Sequence, residues 1–222
     1  MACVNGEYYH IVNRGVEGRT IFTSTRDFNR FKRGLLLFNT TGFTELRTVS
    51  ERVFLQKLAS GKVSRLVDVI AYCLLGNHFH LFVRQNVDKG VETFLRKLLG
   101  GYTRFFNIVK KRRGVLFQSH SRIIHVNHET YFDHVPRYII LNSLDSVDIR
   151  WRVHGVTNTQ KIKKILIEYP YSSFNGMIQR GLDPILSDDL IGEVLDRKNF
   201  LNDLLAWSSE NYIDAKPVLI EP

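Results

Sequence analysis

An α+β fold with strands and helices in the order strand, helix, strand, strand, helix, strand is what the sequence predicts, and three observations carry it. Two apolar, β-prone runs flank Gly76 and Asn77, a dipeptide suited to a two-residue hairpin turn, so Val69 to Val83 reads as a pair of antiparallel strands. Directly after it, Val91 to Arg113 has the clearest helical periodicity in the chain, with Val91, Phe94, Leu95, Leu98, Leu99, Tyr102, Phe105, Phe106 and Val109 on one stripe. Short β-prone segments near each end, each beside a helical pattern, complete the set. This is the ferredoxin-like arrangement, an antiparallel sheet with two helices packed on it.

Taken in order, Tyr8 to Arg14 is rich in aromatic and β-branched residues and stops at Gly15, which makes it the first strand. Ser24 and Asp27 resemble a capping box, and Phe28, Phe31, Leu35 and Leu36 then recur at helical spacing until Asn39 and Gly42. Thr44 to Lys62 is polar with a looser helical pattern and reads as a helical insertion before the hairpin. Beyond the long helix, Arg122 to Val126 reads as the fourth strand. Glu129 to Leu141 reads as an amphipathic helix with Tyr131, Val135, Tyr138 and Ile139 inward. Asn142 to Gln160 is polar and irregular, and short helical patterns follow, one starting near Ser187 and Asp188. The expected division is a domain over residues 1–145 and a helical C-terminal extension over 146–222.

Charge narrows the partners. A formal net charge of +9 over 222 residues points to a polyanion, because Lys and Arg release counterions condensed on phosphates. The outward face of the long helix concentrates these cations in Arg96, Lys97, Arg104, Lys110, Lys111, Arg112 and Arg113, and phosphate contact is the expected use. Gly100 and Gly101 in the middle of this helix are poor helix formers, each costing about 1 kcal/mol relative to alanine, which suggests that backbone or ligand comes close there. With only Cys3 and Cys73, the chain is neither a disulfide-stapled secreted domain nor a cysteine-rich zinc module. No signal-peptide pattern and no apolar run of membrane-spanning length is present, so a cytoplasmic location without membrane contact is expected.

The chemistry-bearing feature is His78 and His80 at the start of the second hairpin strand. Side chains two apart on a strand share a face, so both imidazoles converge while Phe79 and Leu81 point the other way. Such a pair can hold one metal ion, although a lone strand histidine is more often structural. If Tyr102 turns toward the pair, a divalent metal and a phenol lie side by side. A phenol with a pKa near 10 is a poor nucleophile at neutral pH, and a metal on a phosphodiester withdraws charge and orients the phosphorus for in-line attack.

Six blocks occur in one order: Tyr-Tyr-His-Ile-Val-Asn-Arg-Gly (Tyr8 to Gly15), Ala-Tyr-Cys-Leu-Leu-Gly-Asn-His-Phe-His-Leu (Ala71 to Leu81), Tyr-Thr-Arg-Phe-Phe-Asn (Tyr102 to Asn107), Leu-Phe-Gln (Leu116 to Gln118), Arg-Tyr-Ile (Arg137 to Ile139) and Tyr-Pro-Tyr-Ser-Ser-Phe (Tyr169 to Phe174). Their order resembles the single-tyrosine HUH transposases, in particular the REP-associated branch. The resemblance implies an HUH-type nuclease that cuts and rejoins single-stranded DNA beside hairpins, using Mg2+ or Mn2+ and acting as a monomer or a homodimer. It implies that His78 and His80 bind the metal and that Tyr102 attacks the phosphate to give a 5′-phosphotyrosine and a free 3′ hydroxyl. Arg14, Arg122 and the cations of the long helix are the expected DNA contacts, and Phe105 and Tyr138 are aromatics that could stack on bases.

A third metal ligand is expected from the tyrosine helix. The position four after Tyr102 is Phe106, which cannot coordinate, so Asn107 is the polar candidate, with Gln118 and His10 as the others. The chain departs from the usual pattern at Asn142, Ser143 and Leu144, where relatives often show Asn-Pro, and at Gly76, where they often have proline. A protein that recognises DNA hairpins without strand transfer is the competing reading. An RNA-binding module of the same topology is disfavoured, because such modules carry stacking aromatics, not paired histidines, on the open sheet face.

Overall fold

The computed structural model describes residues 2–42, 50–127, 129–146 and 158–210. The parts of the expected insertion before residue 50 and of the irregular segment from 147 to 157 lie outside them, as does the side chain of Tyr131. Strands β1 (Tyr8–Arg14), β2 (Val67–Leu75), β3 (His78–Gln85) and β4 (Arg122–His125) form one antiparallel sheet in the order β2-β3-β1-β4. Helices α1 (Thr25–Leu37) and α3 (Gly90–Val109) connect β1 to β2 and β3 to β4, which is the ferredoxin-like topology the sequence predicts. Helix α2 (Glu51–Ala59) is the helical insertion, and α4 (Glu129–Leu141) follows β4. The C-terminal appendage contains α5 (Thr159–Glu168), α6 (Phe174–Ile178), α7 (Asp188–Val194) and α8 (Phe200–Glu210). Among the described residues no helix is long and apolar enough to cross a membrane.

Strand alternation splits the sheet chemically. Register pairs Arg14 with His78, Val12 with His80, His10 with Phe82 and Val12 with Arg122, so these side chains share one face. The other face carries Tyr9, Ile11, Phe79 and Leu81, all buried. Right-handed crossovers bring both α1 and α3 to that apolar face. Helix α1 begins where Ser24 accepts the Asp27 amide, and it ends where Asn39 accepts the amides of Leu66 and Val67 and donates to the Val67 carbonyl, tying helix end to strand start. Two glycines let α1 and α3 approach closely: a Cβ on Gly34 would lie 2.9 Å from Leu98, and one on Gly101 would lie 2.5 Å from the Phe38 ring. At the start of α3 the Gln85 side-chain oxygen accepts the Val91 amide, in place of a cap from Lys89.

The polar face is roofed by α4. Phe132 sits edge-on against Tyr8 with ring centroids 4.5 Å apart and against Phe82 at 5.6 Å, anchoring the helix to the sheet. The segment expected to be irregular after residue 141 instead begins with a buried 3-10 turn, Asn142–Ser146, because Asn142 donates to the Tyr138 carbonyl and Ser143 to the Ile140 carbonyl. The Tyr169 to Phe174 block runs beside β2: Tyr171 accepts the Leu74 amide, Tyr169 donates its hydroxyl to the Leu74 carbonyl, and Ser173 exchanges bonds with Tyr72. It satisfies an edge that would otherwise be open to pairing with another chain.

Two glycine substitutions on α3 test this packing in opposite directions. A Cβ on Gly90 would lie 2.5 Å from the Leu66 carbonyl oxygen, a backbone atom that cannot swing away, whereas one on Gly100 meets nothing within 4 Å. Gly90→Ala is expected to destabilise the fold by about 1–3 kcal/mol in urea denaturation, and Gly100→Ala to stabilise it by about 0.5–1 kcal/mol. Equal effects from the two would contradict the helix placement.

Candidate functional site

The two histidines are held on β3 by a turn that the sequence marks and by a contact it does not. Gly76 and Asn77 form the two-residue turn, and the Asn77 side-chain oxygen lies 2.7 Å from His78 Nδ1. A carboxamide oxygen there fixes the ring with Nδ1 as donor and leaves Nε2 as the electron-pair donor. The His78 and His80 ring centroids are 5.1 Å apart. His80 Nδ1 lies 3.1 Å from Nε2 of His10, a ring that packs nearly parallel to it at 5.4 Å. Burial first, and the Arg122 guanidinium second, lower the His10 pKa to about 3, so this ring is neutral at physiological pH.

Tyr138 of α4 completes the cluster. Its ring stands edge-on to His80 at 5.7 Å and to His10 at 6.0 Å. The helix reaches this position because Phe132, Val135, Tyr138 and Ile139 follow one stripe on the sheet-facing side. Pro136 lies inside α4 and lacks the amide that would bond the Phe132 carbonyl, which weakens the helix one turn before the tyrosine. The guanidinium of Arg14, directly across from His78, makes no hydrogen bond or ion pair with any described residue, and its buried Nε has no partner. A half-buried guanidinium without a carboxylate beside two imidazoles makes a site for an anion.

Tyr102 is elsewhere. Its ring packs against Phe22, Phe31, Phe106 and Phe117, and Phe31 and Phe117 in turn touch Phe79, which points away from the histidines. The hydroxyl donates to the Ile21 carbonyl at 2.6 Å, and burial, with Asp27 second, raises its pKa. The sheet therefore stands between Tyr102 and the His78–His80 pair. Asn107 shares that side: it donates to the Gly114 carbonyl and accepts from Arg112, closing the turn after α3. Gln118 is exposed on the strand connection, where its amide donates to the Arg14 carbonyl. Of the three candidates for a third ligand, only His10 stands with the pair.

The cations divide similarly. Arg14 and Arg122 lie on the histidine face, whereas those of α3 belong to the layer on the other side of the sheet. Three of the expected DNA contacts, Lys97, Lys110 and Arg112, are engaged in the fold. Lys97 donates to the Thr40 and Gly42 carbonyls, and Arg112 to Asn107 and the Val115 carbonyl. Lys110 lies 3.8 Å from Asp27, and Arg96, Arg104, Lys111 and Arg113 point outward.

Two imidazoles with a carboxamide behind one of them fit part of a divalent-metal coordination sphere. Among the described residues no three His, Cys, Asp or Glu side chains gather around one point, so the remaining positions of such an ion would fall to carboxamide, water or substrate oxygens.

No family model matches the chain, and no curated protein matches it. Among solved structures the chain is similar to a REP-associated tyrosine transposase bound to a REP hairpin, with a TM-score of 0.50 and 15% identity over 87% of this chain and 90% of that one. At that identity the likeness establishes the fold.

Tyr102 offers a test of its placement. A tyrosine whose folded pKa is raised adds stability that is full below pH ~10, the value of a free phenol, and is lost as pH climbs from there toward the folded value. Subtracting the alkaline absorbance titration of Tyr102→Phe from that of the native chain should give no phenolate step near pH ~10. A step there would mean that the hydroxyl is open to solvent.

Proposed function

We propose that the chain cleaves and rejoins single-stranded DNA beside hairpins through a covalent phosphotyrosine, and that Tyr138 is the nucleophile. The observation that carries this reading is the meeting of Tyr138 with His80 and His10 on a sheet face that also holds His78, Arg14 and Arg122. The role expected of Tyr102 passes to Tyr138, because a phenol bonded to a backbone carbonyl in the opposite layer cannot reach a phosphate held by the histidines.

The Tyr138 oxygen forms a bond to phosphorus, the bond to the 3′ oxygen breaks, and the proton lost by the phenol is balanced by the one gained by the leaving 3′ hydroxyl. Arg14 and Arg122 offset the charge of the phosphate and hold it in line. The neutral His10 ring keeps the His80 ring in orientation through its contact with Nδ1. His78 and His80 are the residues that would hold Mg2+ or Mn2+, which when bound withdraws charge from the phosphate. With Tyr138 in place, the position four further on is Asn142, one helical turn away and bonded back to the Tyr138 carbonyl, which makes it the polar candidate for a third ligand. Tyr138 is only 3% exposed, so DNA entry requires α4 to shift, and the missing amide at Pro136 is where the helix gives.

Incubation with Mn2+ and a labelled strand carrying a hairpin should yield a denaturant-resistant adduct with the native chain and with Tyr102→Phe, and none with Tyr138→Phe. Asn77→Ala should weaken divalent-metal affinity about 10-fold by releasing the His78 ring. Hairpin binding with no adduct from any form would favour the reading without strand transfer. An adduct that survives Tyr138→Phe and vanishes in Tyr102→Phe would overturn the assignment.

A further inference from the structure

The two imidazoles of the pair are backed by different partners. Behind His78 stands a carboxamide oxygen, Asn77 Oδ1 at 2.7 Å from Nδ1, which can only accept, so His78 keeps its proton on Nδ1 and offers Nε2. Behind His80 stands a third imidazole, with His10 Nε2 at 3.1 Å from His80 Nδ1. The two rings are within 17° of parallel, and their centroids, 5.4 Å apart, are farther from each other than the nitrogens by about two ring radii. They therefore lie edge to edge and nearly in one plane, which is the geometry of an in-plane N–H···N bond and not of face-to-face stacking. An imidazole, unlike a carboxamide oxygen, can stand on either side of such a bond.

Between two neutral imidazoles one proton fits across that contact, and its position decides what His80 offers. If His80 donates from Nδ1, its Nε2 carries a lone pair and can meet a metal. If His10 donates from Nε2, His80 accepts at Nδ1 and carries its own proton on Nε2, which then cannot coordinate. The surroundings of His10 select the second arrangement. The ring is 1% exposed, and its other nitrogen, Nδ1, has no hydrogen-bond partner among the described residues. A buried N–H without an acceptor is the costlier of the two ways to leave that atom. With Nε2 turned to His80 on β3, Nδ1 faces away from β3, and β4 carries Arg122 on that other side of β1. The guanidinium charge acts on this ring and favours a lone pair at Nδ1 over a proton.

Taking His78 and His80 as the metal ligands proposed above, we propose that His10 gates the metal site: in the metal-free protein His10 Nε2 donates to His80 Nδ1, and the His80 proton occupies Nε2, the atom a metal needs. Opening the site moves the shared proton from His10 Nε2 to His80 Nδ1. The His80 Nε2 proton leaves to water, and water returns one to His10 Nδ1, so neither ring changes charge. His78 is thus preset for an ion and His80 is switched. His10 acts through His80 as a positioning residue and touches neither phosphate nor metal.

Long-range proton–nitrogen correlation spectra of the full chain with ring-labelled histidine read each tautomer directly. Without metal, the His80 proton should be on Nε2 and the His78 proton on Nδ1, and saturation with Mg2+ should move the His80 proton to Nδ1. In His10→Glu the carboxylate can only accept, so the His80 proton should sit on Nδ1 without metal, and Mn2+ affinity by calorimetry should rise about tenfold. A His80 proton on Nδ1 in the metal-free native chain would overturn the proposal, as would Mn2+ affinity in a folded His10→Glu no higher than native. Absence of Mn2+ binding in every form, with the native His80 proton still on Nε2, would overturn the metal site and the gate together. Intact Mn2+ binding with that proton on Nδ1 would overturn the gate alone.

Discussion

The register of β1 against β3 is the constraint on which the rest depends. Because Arg14 stands opposite His78 and Val12 opposite His80, His10, Arg14, His78 and His80 fall on one face of the central strands and Tyr9, Ile11, Phe79 and Leu81 on the other. The apolar face closes over α1 and α3, with Phe31 in contact with both Phe79 and Tyr102. The polar face is left for α4. A slip of one residue in this pairing would exchange the two sets and bury the imidazoles among phenylalanines, so the core and the site are fixed by the same hydrogen-bond ladder.

That partition separates the two tyrosines between which the proposed nucleophile is chosen. The topology, the hairpin turn, both long helices and the histidine pair are legible in the sequence, since each rests on periodicity or on local turn chemistry. The choice between Tyr102 and Tyr138 is not local. Tyr102 sits on the strongest helical stripe and directly follows the histidine strand, which draws attention to it. The signal that points to Tyr138 is parity: His10, Arg14, His78, His80 and Arg122 share one strand face, and the two crossover helices must cover the other. An element outside the βαββαβ core therefore has to cover the histidines, and α4 is the amphipathic helix left to do it. Asn77 was legible only as a turn residue, because its contact with His78 Nδ1 depends on side-chain direction within the turn.

The site is electrostatically one-sided. A guanidinium at Arg14 with no partner among the described residues and a neutral His10 beneath His80 prepare the face for an anion. On the opposite side the tyrosine hydroxyl is spent on a backbone carbonyl, which secures the loop before α1 to α3 and keeps the phenol protonated. The two tyrosines thus lie on opposite sides of the sheet, one locked within the apolar layer and one standing over the polar face.

The relation of a bound ion to the two phenols tests this account most directly. Mn2+ titrated into protein with ring-labelled tyrosine broadens nuclear resonances steeply with proximity. The account predicts that the Tyr138 ring signals vanish at metal levels that leave those of Tyr102 sharp. Broadening of Tyr102 ahead of Tyr138, or no selective broadening of either, would contradict it.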